Sequence, residues 1–334
     1  MTLLSAGLPA WEIAVITIAA ALAFIILLLI ALALVVHHIA FGHRYDRNPL
    51  YVYFSAEDFG LSAEPIEVPS KKTALHGYIY SYGEDTHRDK IIVFCHGLGP
   101  GHCAYMTEIS YLCRLGYIVA ATDYCGCGES PGRKARGFYS GVIAVQDTIR
   151  YIRKDPRFAG RKVLLVGHSW GAYSAICAQG DGVVSVSAPD SPSILAVTAG
   201  SYIPKFIAYA MVPVFKFIDF CAFGSKGTTK CHKAASETDV PMLLIHGELD
   251  RAVPLKDSAY TAIPDTKASR YLAPGKYHNP YNTIPAETKL HELSQAASLK
   301  GEAKEAFCAS FDFTAATEED PAVMQQIADF LERI

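Results

Sequence analysis

From residue 13 to residue 36 the chain runs twenty-four positions with Thr17 as the single polar side chain. At about 1.5 Å per helical residue this run reaches roughly 36 Å, against about 30 Å of bilayer hydrocarbon, so it predicts a transmembrane helix. A secretory signal would begin with basic residues and carry a shorter apolar stretch, whereas residues 1–12 hold no Lys or Arg. An uncleaved anchor is therefore expected, with cleavage as the alternative. Arg44 and Arg47 follow closely, with Lys71 and Lys72 further on, so the positive-inside bias expects the large C-terminal part in the cytoplasm. His37, His38 and His43 read as polar residues at headgroup level rather than a metal site.

Beyond residues 37–70, read as a linker, short apolar runs alternate with helical periodicity. Strands are expected at Leu75 to Tyr80, Ile91 to Cys95, Tyr117 to Thr122, Val163 to Val166, Val183 to Val186, Met242 to Ile245 and Arg270 to Ala273. Helices are expected from about Tyr105 to Leu115, through Val142, Val145, Ile149 and Ile152, and from Trp170 to Gln179. A last helix, capped by Asp320 and opened by Pro321, carries Val323, Met324, Ile327, Phe330, Leu331 and Ile334 on one face. The alternation predicts an α/β fold with a mainly parallel sheet covered by helices on both sides. Residues 71–189 and 240–334 form its two parts. Residues 190–239 interrupt the rhythm and read as a cap, with Phe206, Tyr209, Phe215, Phe217, Phe220 and Phe223 packing on the core or forming an apolar lid toward acyl substrate or bilayer.

Of the 334 residues, 51% are hydrophobic and 19% charged, the latter below the usual share of about 25%; the greasy N-terminal run accounts for much of the bias. A net charge of −3 supplies no basic field for phosphate contacts, so a nucleic-acid partner is not expected. Nine Cys, an odd number in a chain too long to need cross-links, read as reduced thiols.

Gly167-His168-Ser169-Trp170-Gly171 lies directly between a buried strand and a helix. Two glycines there allow a tight strand-to-helix turn that lifts a serine hydroxyl above the sheet at the positive end of a helix, which makes Ser169 a candidate nucleophile. A serine needs a base within hydrogen-bond reach and a carboxylate to orient that base. Asp250 follows the strand Met242 to Ile245, and His278 lies in a turn after Arg270 to Ala273. Asp190, also after a strand, is the competing acid. His168 reads as a packed or hydrogen-bonded core residue, His246 as a strand end, and His291 as part of a polar helix.

With these motifs in the order Ser169, Asp250, His278, the sequence resembles the α/β-hydrolase superfamily, in its serine-hydrolase branch of monoglyceride-lipase-like and serine-aminopeptidase-like proteins, over roughly Leu75 to Ile334. The resemblance implies that His96-Gly97-Leu98-Gly99 is the oxyanion loop, with one N–H donor from Leu98 and the other from Trp170. Asp123 to Ser130 resembles the family's turn after the following strand, but Cys125 and Cys127 stand where relatives usually have Arg and an aromatic. Cys125 and Cys127 have no companion pair at zinc spacing, so they are expected to be free thiols.

The expected activity is that of a membrane-anchored serine hydrolase cleaving an acyl ester or thioester through an acyl-enzyme, without cofactor or metal. Its expected partners are a small acyl substrate, lipids among the candidates, and the membrane through residues 13–36. A serine peptidase on the same scaffold and a catalytically silent, membrane-bound binding module are the alternatives.

Overall fold

Alternate side chains of each central strand enter different layers, which is why these strands read as unbroken apolar runs. The computed structural model describes residues 9–51, 54–71, 73–296 and 298–334; residues 1–8 of the expected leading segment, and Lys72, lie outside the described residues. The strands are β1 (Ser62–Ser70), β2 (Thr73–Ser81), β3 (Lys90–Cys95), β4 (Val119–Thr122), β5 (Lys162–His168), β6 (Gly182–Val186), β7 (Met242–Gly247) and β8 (Ser269–Ala273). They form one sheet in the order β1-β2-β4-β3-β5-β6-β7-β8; β2 is antiparallel to both its neighbours, β1 and β4, and the other pairings are parallel. Ile91, Val93 and Cys95 of β3 pack into one layer while Ile92 and Phe94 pack into the other, as parallel strands buried on both faces require.

The helices are α1 (Ala10–Phe41), α2 (Met106–Arg114), α3 (Phe138–Lys154), α4 (Trp170–Ala178), α5 (Ile194–Ala199), α6 (Lys205–Ala210), α7 (Val212–Phe223), α8 (Cys231–Ser236), α9 (Ala259–Ala262), α10 (Ile284–Ala296), α11 (Gly301–Ser310), α12 (Phe313–Ala316) and α13 (Pro321–Arg333). α2 and α13 cover one face of the sheet, and α3, α4 and the insertion helices α5 to α8 cover the other. Asp320 caps α13 by accepting from the N–H groups of Ala322 and Val323, and Val323, Met324, Ile327, Phe330 and Leu331 are buried.

Residues 37–70 depart from a linker at both ends. The first helix continues to Phe41, and Ser62–Ser70 is a strand despite Pro65 and Pro69. Those prolines disguise β1 in the sequence, but an edge strand tolerates residues that donate no ladder hydrogen bond. A small satellite core of Leu50, Leu293 and Ala296, with Leu290, Phe307, Phe311 and Phe313 against it, joins the segment after α1 to α10, α11 and α12. The part of the chain after residue 240 therefore carries a helical insertion of its own. Its apolar stripe is too thin to stand out in a polar stretch.

α1 is apolar and long enough to cross a membrane, yet it is also part of the folded core. Leu29, Leu32, Ala33, Val36, Ala40 and Phe41 pack against the domain at the spacing of one helical face. The Phe41 ring meets Phe138 and Trp170 edge-on at centroid distances of 5.3 and 5.5 Å. Phe41→Ala should thus cost about 3 to 5 kcal/mol, the usual range for emptying a buried Phe site. Unfolding of the full chain in detergent would read this as a lowered midpoint; an unchanged midpoint would show that the α1 contact contributes little.

Candidate active site

The sharp turn after β5 is forced by close backbone approach. A Cβ at Gly167 would sit 2.6 Å from the Gly171 carbonyl oxygen, and one at Gly171 would overlap the carbonyl of Cys95 at the end of β3. With both positions bare, Ser169 takes φ 54° and ψ −116°, a conformation costly for any side-chain-bearing residue, and its hydroxyl stands above the sheet where α4 begins.

Two other strand ends meet this hydroxyl. The Ser169 Oγ lies 3.0 Å from His278 Nε2, and His278 Nδ1 donates to Asp250 Oδ2 at 2.8 Å. The other Asp250 oxygen accepts from the N–H groups of Ala252 and Val253, both at 2.9 Å. Burial works to raise the Asp250 carboxyl, but the charge and hydrogen bond of His278, the Val253 N–H and His246 together hold it below the ordinary carboxylate range. Asp190 is instead engaged by His232, whose ring nitrogen lies 2.9 Å from the carboxylate. The structure thus brings Ser169, His278 and Asp250 together and leaves Asp190 in a separate pair.

The loop after β3 faces the same space. His96 Nδ1 donates to the Gly97 carbonyl at 2.7 Å while its Nε2 accepts from the Tyr124 N–H at 3.0 Å, an arrangement that fits the neutral ring. Burial lowers His96 to about 4, in agreement. Among the described residues, the Leu98 N–H is not given to any protein acceptor, as an oxyanion donor requires. The loop's far end is tied down by Asp123, which accepts from the His102 N–H and ring and from the Glu129 N–H at 2.6 to 2.7 Å.

Two positioning groups carry no motif. The Gly97 N–H donates to the Tyr105 hydroxyl at 3.0 Å, Tyr105 donates to His168 Nδ1 at 3.0 Å, and His168 Nε2 donates to the His278 carbonyl at 2.9 Å. This chain ties the loop after β3 to the loop that carries His278. It needs a neutral His168, and burial foremost, helped by the like charge of His278, lowers that ring to about 3. Glu287 accepts from the N–H groups of Tyr277 and Asn279, both at 3.0 Å, and so clamps the backbone on either side of His278. Neither Tyr105 nor Glu287 has a distinctive sequence neighbourhood; the only signal is position within elements next to the motifs.

Ser169, His278, Gly97 and Leu98 open into a cleft of about 830 Å³. Its walls come from residues 44–49 and Tyr51, and from Leu290, Leu293 and Lys304 of α10 and α11. Residues 190–239 contribute nothing to this lining, so the expected lid over acyl substrate lies elsewhere: those helices pack on α1 and the α4 side of the sheet. Among the described residues, no group of three or more His, Cys, Asp or Glu could hold a metal ion.

Comparisons with known proteins fit this architecture. A family model described as serine aminopeptidase, S33, matches residues 86–182. YfhR, an uncharacterized protein of Salmonella typhi, is 23% identical over 270 residues, 77% of this chain and 88% of YfhR. ABHD8 of Homo sapiens is 32% identical, but over 83 residues that span 25% of this chain and 18% of ABHD8. The esterase Pf2001 of Pyrococcus furiosus superposes with a TM-score of 0.56 at 17% identity, covering 75% of this chain and 96% of the esterase. The chain has the α/β-hydrolase fold, and its residues 86–182 are similar to the serine aminopeptidase, S33, family. Strand order, turn and cleft are consistent with that fold.

Beside the cleft lie two carboxyl groups, Glu108 and Glu319, whose surroundings disfavour the charged form. Burial pushes Glu108 up to about 7, and burial with Glu108 adding pushes Glu319 up to about 9. Glu319 Oε1 has no hydrogen-bond partner among the described residues. A glutamate in the unfolded chain ionises near pH ~4.3, so across roughly pH 4.3 to 9 the unfolded state binds fewer protons and stability falls as pH rises. Glu319→Gln should match the parent protein near pH 4 and exceed it at pH 8, read as the difference in unfolding midpoint; an identical pH slope in both would contradict a neutral, buried Glu319.

Proposed function

We propose that the protein is a membrane-anchored serine hydrolase that cleaves an acyl ester or thioester through an acyl-enzyme. The observation that carries this reading is the unbroken relay Asp250–His278–Ser169, at 2.8 and 3.0 Å, opening into the cleft beside the β3 loop.

In this mechanism the Ser169 Oγ attacks the carbonyl carbon while His278 Nε2 takes its proton. Asp250 keeps the imidazole in the right tautomer and stabilises the imidazolium that forms. The N–H groups of Leu98 and Trp170 receive the developing oxyanion. His278 then returns the proton to the departing alkoxide or thiolate, and water, activated by the same ring, releases the acid from Ser169.

α1 supplies the anchor in this reading, and Arg44 and Arg47 just beyond it favour a cytoplasmic catalytic part. The cleft wall begins at Arg44, three residues after α1 ends at Phe41. An amphiphilic acyl substrate, lipids included, would therefore meet the cleft close to the bilayer surface. A peptidase activity is the second reading, favoured by the serine aminopeptidase family match. An α-ammonium in the cleft would find poor partners, since Asp46 is engaged by Arg44 and burial holds Glu108 partly protonated at neutral pH. That favours the ester.

A panel of esters of graded chain length, run beside amino-acid amides, tests the choice: ester turnover well above amide turnover is expected, and the reverse would select the peptidase. Ser169→Ala should abolish labelling by a fluorophosphonate probe, and Asp250→Asn should lower kcat by about 10⁴. A parent protein that fails to label would instead support a silent binding module. Leu98→Pro deletes one oxyanion donor and should lower kcat by roughly 10² to 10³, whereas Leu98→Ala, which keeps the N–H, should not.

A further inference from the structure

The insertion between β6 and β7 presents apolar surface that the cleft does not use. Tyr202, Phe206, Phe217 and Phe220 are 86%, 76%, 67% and 56% exposed, an unusual concentration of aromatic side chains in solvent. Lys205, Lys216 and Lys226 are exposed among them. The sole carboxylate between Ser201 and Thr229, Asp219, is buried and turned toward His37 of α1 at 3.9 Å. The outer face is thus aromatic and cationic.

Its position relative to α1 indicates what covers it. Residues 13–28 of α1 are exposed all round, and from Leu29 onward one face of the helix is held by the domain, with α5 and α7 packed against it. Residues 10–28 make about 28 Å of helix, close to the roughly 30 Å of hydrocarbon that must be crossed. The apolar run nevertheless continues to Val36. Either part of that run leaves the bilayer or the elements packed against it reach the bilayer with it. The insertion's composition fits the second case: its stretch Lys205–Ser236 is strongly apolar yet largely exposed. α7, at twelve residues, measures about 18 Å and is too short to cross, so it can lie in the surface but not span.

We propose that α6 and α7 dock into the headgroup–acyl boundary of the bilayer that holds α1, with Phe206, Phe217 and Phe220 immersed and Lys205, Lys216 and Lys226 among the headgroups. This inference rests on the anchoring part of the function proposed above, but not on its catalytic part. Aromatic rings and lysines are the side chains that favour that boundary, and the lysines add attraction to anionic lipid. Two attachments, one spanning and one interfacial, would stop the domain swinging on α1 and hold the cleft at a fixed height above the lipid.

Cys221 is exposed on α7 between Phe217 and Phe223, and so offers a native label site. The full chain is reconstituted in phosphatidylcholine vesicles containing phosphatidylserine, and an environment-sensitive fluorophore is placed at Cys221. Parallel samples carry the label at Glu305→Cys or at Leu22→Cys in a Cys221→Ser background, and Cys221→Ser alone gives the blank. The proposal expects the Cys221 label to be quenched by lipid bearing a nitroxide near the headgroup at least threefold more than the label at position 305, and to be shielded from aqueous iodide. Iodide quenching at 221 equal to that at 305, with position 22 quenched by lipid bearing the nitroxide deep in its acyl chain, would overturn the docking surface while leaving the anchor intact. Absence of quenching at position 22 by that deep-labelled lipid would overturn the anchor itself. Shielding at 221 that follows protein density and shows no lipid quenching would mean self-association and would also overturn the proposal. The combined variant Phe206→Ser, Phe217→Ser and Phe220→Ser should lower turnover of a vesicle-embedded long-chain ester about tenfold and leave a soluble short-chain ester unaffected; equal loss on both would contradict docking.

Discussion

The close approach of the Gly171 backbone to the carbonyl ends of β3 is the contact on which the site depends. It leaves no room for a side chain at Gly171 or Gly167, bends the chain sharply between β5 and α4, and forces Ser169 into a left-handed φ. Neighbouring strands then deliver the rest without further strain. β7 ends near Asp250, β8 leads to His278, and β3 runs into the loop that carries Leu98, so the parallel sheet sets four groups at one edge. Residues far apart along the chain converge because the strands share a direction, as ligand sites at the carboxyl ends of α/β sheets generally do.

The second organising contact joins the N-terminal helix to the same elbow. Phe41 packs edge-on against Trp170, the residue following Ser169, and a helical stripe from Leu29 to Phe41 continues that packing outward. The segment after the helix becomes the cleft wall, with Tyr45 paired to the Gly126–Gly128 turn by backbone hydrogen bonds. The helix, the wall and the serine are therefore mechanically connected. Removing the helix would not merely release a soluble domain; it would also strip a face of the core.

Much of this was legible in the sequence where local chemistry is distinctive. Gly167-His168-Ser169-Trp170-Gly171, the strand-end positions of Asp250 and His278, and the Asp320-Pro321 helix start each restrict the local backbone to a narrow set of conformations. Harder to see were features defined by partners distant in the chain. β1 is masked by two prolines that only its edge position tolerates, Tyr105 acts by linking the Gly97 N–H to His168, and Glu287 acts through two backbone N–H groups. The cleft wall depends on a thin apolar stripe in otherwise polar helices, and the aromatic insertion could be read as a lid because composition does not say which surface it covers. The overlap of the apolar run with core packing at Leu29 to Val36 was likewise hidden, because hydrophobicity toward lipid and toward protein looks the same.

In the proposed function an acyl group passes covalently through Ser169. Rapid mixing of the full-length protein with an activated ester, acid quench within milliseconds, and mass measurement of the digested chain would test that step itself. The acyl mass is expected on the peptide containing Ser169, appearing in a burst before steady turnover. Turnover with no such adduct, or an adduct confined to a cysteine, would contradict it.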